Sequence, residues 1–282
     1  LTRTLLLDAD LIAYQASSAN QRTYDWNGDG NKSVAADEAE ARLYAEAKIM
    51  RFVGALEADD VIVCLSDDFN NFRKDRIDPT YKAARATVDR PTHLYDLKDW
   101  LADTYTTERW TALEADDVMG ILATDPNRTD ERIIVSGDKD MMGVPGQLYR
   151  PATEHRPGQL MAITEAQADR FHLYQTIVGD IVDGYSGLPG SGPIFADALL
   201  DRAMMVRSYE RIISRGPRKG YVVHEWQAQP EPDVPVWGRI VAAYEKAGLT
   251  EADALKQARL ARILRYDDWD GKSPKLWNPP LH

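Results

Sequence analysis

Five short stretches of this 282-residue chain bring carboxylates close together: Asp8-Ala9-Asp10, Ser66-Asp67-Asp68, Glu114-Ala115-Asp116-Asp117, Ser136-Gly137-Asp138-Lys139-Asp140 and Gly179-Asp180-Ile181-Val182-Asp183-Gly184. Like charges at such spacing repel one another, and a multivalent cation relieves that repulsion. All of the donors are oxygen, and no His or Cys set has zinc spacing, so the pattern suits a hard cation such as Mg²⁺ or Mn²⁺. The candidate ligands are Asp8, Asp67, Glu114, Asp116, Asp117, Asp138, Asp140, Asp180 and Asp183, enough for two ions. At the second stretch Asp67 and Asp68 compete for one position, with Asp67 preferred because it directly follows Ser66. Taken singly, each stretch has a plainer explanation as a helix cap or a polar turn. Their recurrence along one chain is what favours the metal.

Phosphate chemistry needs cations as well as metal ligands. Phe72-Arg73-Lys74 and Tyr81-Lys82-Ala83-Ala84-Arg85 follow the second acidic stretch and supply them. Lys82 and Arg85 at i,i+3 can present two positive charges together, and Tyr81 has the flat face that stacks on an unpaired base. Gly184-Tyr185-Ser186-Gly187-Leu188-Pro189-Gly190-Ser191-Gly192 is a turn whose glycines, Gly187, Gly190 and Gly192 among them, let backbone N–H groups approach a phosphate.

Elements must hold these residues in place. Leu5 to Leu7, Val61 to Leu65 and Ile133 to Val135 are apolar runs of strand length, each followed by an acid. Helical spacing appears over Ala39–Leu56, Leu94–Tyr105 and Asp116–Ala123, and later over Glu165–Tyr174, Ile194–Leu200, Met204–Ser214, Trp237–Ala247 and Glu251–Leu264. Strands alternating with helices predict an α/β fold with a mostly parallel twisted sheet, whose functional crevice lies beyond the carboxyl ends of the strands. Arg22–Lys32, Asp67–Arg90 and Gly216–Val234 read as loops.

Thirty-four Lys and Arg against 45 Asp and Glu give a net charge of -11, which by itself argues against a nucleic-acid partner. Setting the nine candidate ligands aside leaves -2, and the objection weakens. The one cysteine, Cys64, lies in an apolar run and reads as a buried thiol, compatible with a reducing cytoplasm. Asp8 and Asp10 interrupt the apolar N-terminus, so neither an export signal nor a membrane span is expected.

In this order the motifs resemble the flap endonuclease and 5′ nuclease superfamily, most closely the 5′→3′ exonucleases of T-odd bacteriophages. The resemblance rests on Asp78-Pro79-Thr80-Tyr81-Lys82-Ala83-Ala84-Arg85, Glu114 to Gly120, Asp138-Lys139-Asp140, Gln175 to Gly187 and Ala261 to Arg265, and runs through nearly the whole chain. It implies a PIN-like core over residues 1–163 with a flexible basic arch at about 68–106, here carrying Arg73, Lys74, Tyr81, Lys82 and Arg85. Residues 164–282 would form a helical region with a helix-three-turn-helix module. It further implies one metal near Asp8, Asp67, Glu114 and Asp116, and another near Asp138, Asp140 and Asp183, with Asp117 and Asp180 supporting. Asp8, Lys82, Arg85, Asp116 and Asp138 would be the catalytic set. Two Mg²⁺ ions, replaceable by Mn²⁺, and K⁺ at the glycine-rich turn are the implied cofactors. The implied partner is duplex DNA with a free 5′ end, or nicked, flapped or RNA-primed DNA. A monomer in the cytoplasm, the host's if phage-encoded, without membrane contact, completes the expectation. One departure is that Gly192 is followed by Pro193-Ile194-Phe195 where the family usually carries a basic residue. Two other readings remain open: a haloacid-dehalogenase-like phosphatase using Asp8 and Asp10, and a DNA-binding protein without catalysis.

Overall fold

The computed structural model describes residues 1–25 and 33–280. In chain order the elements are β1 (Arg3–Asp8), α1 (Ala9–Ala19), β2 (Gln21–Tyr24), β3 (Ser33–Ala36), α2 (Glu38–Leu56), β4 (Asp60–Leu65), α3 (Phe72–Arg76), α4 (Leu94–Thr104), β5 (Thr106–Arg109), α5 (Ala115–Ala123), β6 (Glu131–Val135), β7 (Gly146–Arg150) and β8 (Gln159–Ile163). There follow α6 (Glu165–Val178), α7 (Pro193–Asp201), β9 (Met204–Ile212), β10 (Val222–Pro230), α8 (Val236–Lys246) and α9 (Glu251–Ala261). Compactness divides the chain into two units, one of residues 1–75, 85–168 and 263–275, the other of 76–84, 169–262 and 276–282.

A six-stranded sheet in the order β5-β4-β1-β6-β7-β8 organises the first unit. All neighbours are parallel except β7 and β8, which makes the predicted α/β, mostly parallel architecture correct. Parallel strands are covered on both faces, which explains why Leu5, Leu6 and Leu7 are all fully buried. Leu5, Leu7, Val63, Leu65, Ile133 and Val135 alternate onto one face, where they pack with Ile12, Ala45, Ile49, Leu97 and Leu101 of α1, α2 and α4. The register pairs Asp8 with Cys64 and Leu7 with Val135, so β4, β1 and β6 end at one level. Asp8, Ser66 to Asp68 and Ser136 to Asp140 therefore leave the sheet along its carboxyl edge.

The second unit has its own core, in which Ile177, Leu199, Met205, Trp237, Ile240 and Tyr244 are buried together. Its helices mostly match their predicted extents, although α6 runs past Tyr174 to Val178 and α9 stops at Ala261. Met204–Ser214 does not form the expected helix. Over Met204–Ile212 it is β9, paired antiparallel with β10 through nine residues, and β10 occupies much of the expected Gly216–Val234 loop. Val206, Tyr209, Ile212, Val222 and Val223 favour a pleated strand, and a short apolar run has no period long enough to separate strand from helix. Within the loop expected at Arg22–Lys32, Gln21–Tyr24 pairs with Ser33–Ala36, and residues 26–32 lie outside the described residues. Asp67–Arg90 contains α3 and a 3₁₀ turn at Ala83–Thr87. Among the described residues no helix is long and apolar enough to cross a membrane.

Candidate active site

Asp8 is both the last residue of β1 and the N-cap of α1. One carboxylate oxygen accepts from the Leu11 N–H at 3.0 Å and the other from Ser136 Oγ at 2.8 Å. The side chain is buried and burial pushes its pKa up to about 6, with the negative charges of Asp10 and Asp138 adding to the rise and the Leu11 and Ser136 hydrogen bonds opposing it. Asp138 leaves β6 through Gly137, accepts from the Asp140 N–H at 2.8 Å and stands half-buried. Among the described residues neither Asp8 nor Asp138 forms an ion pair with a basic side chain. Asp140, buried, opens the 3₁₀ turn Asp140–Gly143.

The next acids along the edge are already compensated. Lys98 of α4 reaches Asp10 Oδ1 at 2.9 Å and also pairs with Asp68, while Asp10 Oδ2 accepts from the Ser66 N–H at 3.1 Å. Lys98 was missed at the level of sequence, although it left a signal. Leu94, Leu97, Lys98 and Leu101 make one i, i+3, i+4, i+7 stripe, and a lysine in an apolar stripe needs a buried anion. Asp67 serves the loop itself, accepting from the N–H groups of Phe69 at 2.9 Å and Ala112 at 2.8 Å and from Asn70 Nδ2 at 3.0 Å. Partial burial pushes its pKa up, but these hydrogen bonds outweigh that and hold it at about 2.

At the start of α5, Glu114 and Asp117 form a reciprocal capping box. Asp117 is fully buried and takes both guanidinium nitrogens of Arg73, at 2.6 and 2.8 Å, and the Leu264 N–H at 3.1 Å. Glu114 accepts from the same guanidinium at 3.0 Å. Arg73, expected beside Lys74 as a phosphate contact, is instead 1% exposed and neutralises the α5 cap; Lys74 is exposed. Asp116, in the first turn of α5, is half-buried.

The remaining expected residues, apart from the exposed Arg85 of the first unit, belong to the second unit. Lys82 adopts φ +53°, its N–H donates to the Asp183 carbonyl at 2.9 Å, and its ammonium lies 3.5 Å from the Asp183 carboxylate. Tyr81, expected to offer a stacking face, is 3% exposed, with its ring among Tyr185, Leu260 and Ala261 and its hydroxyl 3.4 Å from Asp183. Asp180 accepts from the Val182 N–H at 2.8 Å, and its backbone pairs in both directions with Tyr185. Gly179 and Gly187, at φ +76° and +63°, pack backbone on backbone, and a Cβ on either would lie 2.4 Å from the other strand of the turn. The Gly187 N–H is taken by Gln257 at 2.9 Å, whereas Gly190 and Gly192 have open space around them and Gly192 caps α7. Within this turn, then, Gly187 shapes the backbone, and Gly190 and Gly192 leave it accessible.

The donor set fits a divalent cation. Asp8 and Asp138 are oxygen donors held close by Ser136 and Gly137 and mutually repelling, with the Arg150 guanidinium, which donates to the Gly137 carbonyl at 3.3 Å, the basic group that attracts Asp138. A second group, outside the predicted set, consists of Glu38, His93 and Asp96 at the N-terminal ends of α2 and α4, whose ligating atoms lie within 4.8 Å of one another.

Comparison with known proteins supplies the family. The family model of the 5′-3′ exonuclease N-terminal resolvase-like domain matches residues 3–167. The exonuclease of Escherichia phage T7 is 34% identical over 98% of this chain and 93% of its own length, and the exodeoxyribonuclease of Enterobacteria phage T3 is 33% identical over 98% and 92%. Among solved structures, the bacteriophage T5 D15 flap endonuclease in a pseudo-enzyme-product complex with DNA and metal ions is similar with a TM-score of 0.57 at 13% identity, over 92% of this chain and 88% of that one. The T5 5′-exonuclease with bound zinc gives 0.57 at 14% identity, over 92% and 89%. Identity that low speaks for the fold alone, but the phage relatives and the family model span enough of the sequence to decide descent. The chain belongs to the 5′-3′ exonuclease family that includes the exonucleases of phages T7 and T3.

Proposed function

We propose that this 5′-3′ exonuclease hydrolyses phosphodiester bonds from the 5′ ends of duplex DNA with two Mg²⁺ ions, and that it also accepts nicked, flapped and RNA-primed duplexes. The observation that carries the reading is the close pair Asp8 and Asp138 at the carboxyl edge of the sheet, near enough that the charge of Asp138 helps to raise the Asp8 pKa. Asp8, Asp138 and Asp140, with Asp116 and Glu114 of α5, are the proposed ligands in the first unit, and Asp117 holds the α5 terminus in position. Asp67, whose oxygens hold the loop, and Asp68, paired with Lys98, stay alternatives for one further position. Asp180 and Asp183 are proposed as the further carboxylates of the second unit, with K⁺ at its glycine-rich turn.

These oxygens would hold a divalent cation, which when bound would lower the pKa of water toward neutrality and offset charge on the leaving 3′ oxygen. Asp8 must give up its carboxyl proton to act as a ligand, so ligation is favoured above about pH 6. Lys82, oriented by Asp183, and Arg85 are the cations proposed to balance the charge that grows on the phosphate. Gly190 and Gly192, open at the start of α7, are proposed to leave backbone N–H groups for the duplex phosphates, with no basic side chain needed at Pro193. Family membership sets aside the phosphatase reading of Asp8.

Product lengths test the proposal. Blunt, nicked, flapped and RNA-primed duplexes carrying a 5′ label should release labelled mono- or short oligonucleotides in Mg²⁺ and nothing in EDTA. Release that begins at the 3′ end, or that continues in EDTA, would contradict it.

A further inference from the structure

We propose that the β9–β10 ribbon is a second duplex-binding arm, whose basic tip grips the DNA phosphate backbone. The proposal rests on the reading of the chain as a DNA-cleaving nuclease.

Only the base of the ribbon is built into the core of the second unit, where Met205 and Val206 are buried with Trp237 and Ile240. Beyond them the strands run on in register to Ile212 and Val222. Nine residues of strand span roughly 30 Å. Two-stranded ribbons have little stability of their own, and exposing Ile212 at 66%, Tyr221 at 65% and Val222 at 53% adds cost. A partner that covers the distal part would offset it.

Charge identifies that partner. Nearer the base, the cations are cancelled: Arg207 pairs with Glu231 at 2.6 Å and Arg211 with Glu225 at 2.6 Å. The tip has no such arrangement. From Arg211 to His224 the sequence contains no acid, and Arg215, Arg218 and Lys219 are exposed without an ion-pair partner among the described residues. Three uncompensated cations at the end of an arm, in a chain of net charge -11, would be repelled by few surfaces and attracted most by a polyanion.

The tip is also shaped for binding. Gly220 donates to the Ile213 carbonyl at 2.8 Å, Lys219 to Gly216 at 3.1 Å and Tyr221 to Arg218 at 3.1 Å, and Gly216 and Gly220 take φ +79° and +89°. These bonds fix the turn before any ligand arrives, so little ordering entropy is lost on contact. A ribbon of two strands fits the width of a duplex groove, with its tip cations against the flanking phosphates. Because the same unit carries the Gly190–Gly192 turn, it offers the duplex two separate contacts.

The test is the salt dependence of binding to a fluorescent duplex in Ca²⁺, for the whole protein and for the variant Arg215→Gln, Arg218→Gln, Lys219→Gln. All three side chains are exposed, so the variant should melt with the parent protein. The expected result is affinity weakened roughly tenfold or more at moderate salt, and a log Kd against log salt slope reduced by about 3, one for each phosphate contact. Reversal to Arg218→Glu, Lys219→Glu should weaken binding further. If the parent protein neither binds nor degrades duplex DNA, the nuclease reading itself fails. If the parent does both and the variant keeps its affinity and slope, the ribbon proposal alone is overturned. The same holds if only single-strand affinity falls.

Discussion

At Asp8 the proposed function and stability oppose each other in one side chain. Its carboxyl titrates near 3.8 in an unfolded chain and at about 6 in the fold, so the charged form is the one the fold disfavours. Stability in EDTA is therefore expected to fall as pH rises from about 4 to about 6 and to level off above that, by roughly 3 kcal/mol at most. The Asp8→Asn variant should lose this dependence, melt higher than the parent at pH 7 in EDTA, and cut DNA at least about 10³-fold more slowly. Urea melts across that pH range check the sign. Arg73 is the opposite case. Arg73→Ala strands Asp117 fully buried without its cation and should cost about 3–5 kcal/mol, while adding Asp117→Asn should recover part of the loss. At this scale the sequence discloses which residue types can do the chemistry. It does not disclose which cation each acid has claimed, because Arg73 to Asp117 and Lys98 to Asp10 are contacts across the fold.

Among the elements, the strands that end in acids were legible because apolar runs of strand length finishing in Asp or Ser-Gly-Asp have few other readings. β5, β7 and β8 were not. Each has four or five residues, and Thr106–Arg109 is polar or half-exposed along an edge, where no alternation is enforced. β9 was misread for a related reason: only Met205 and Val206 are anchored, and the rest of the strand is defined by its partner. The glycine-rich turn was legible as a turn, but the division of labour among its glycines needed the structure. Gly187→Ala should destabilise by about 1–3 kcal/mol, since a Cβ there meets backbone at 2.4 Å with φ positive, and Gly190→Ala should cost less, strained in φ but free of contacts. Urea midpoints for the two variants provide the comparison.

For the whole molecule, the net charge of -11 includes the nine acids first read as metal ligands. Binding of Mg²⁺ to the folded state alone should raise stability, by about 2.7 kcal/mol at a concentration a hundred times Kd, and Asp8→Asn with Asp138→Asn should remove most of that increment. Thermal melts with and without Mg²⁺ measure it without any reference to catalysis. The claim on which everything else depends is that the carboxylates at the sheet edge perform the hydrolysis. Its most direct test is single-turnover release from a 5′-labelled duplex by the Asp116→Asn, Asp138→Asn variant in saturating Mg²⁺. A loss of about 10³-fold or more with duplex affinity retained is the expected result, and release at the parent rate would contradict it.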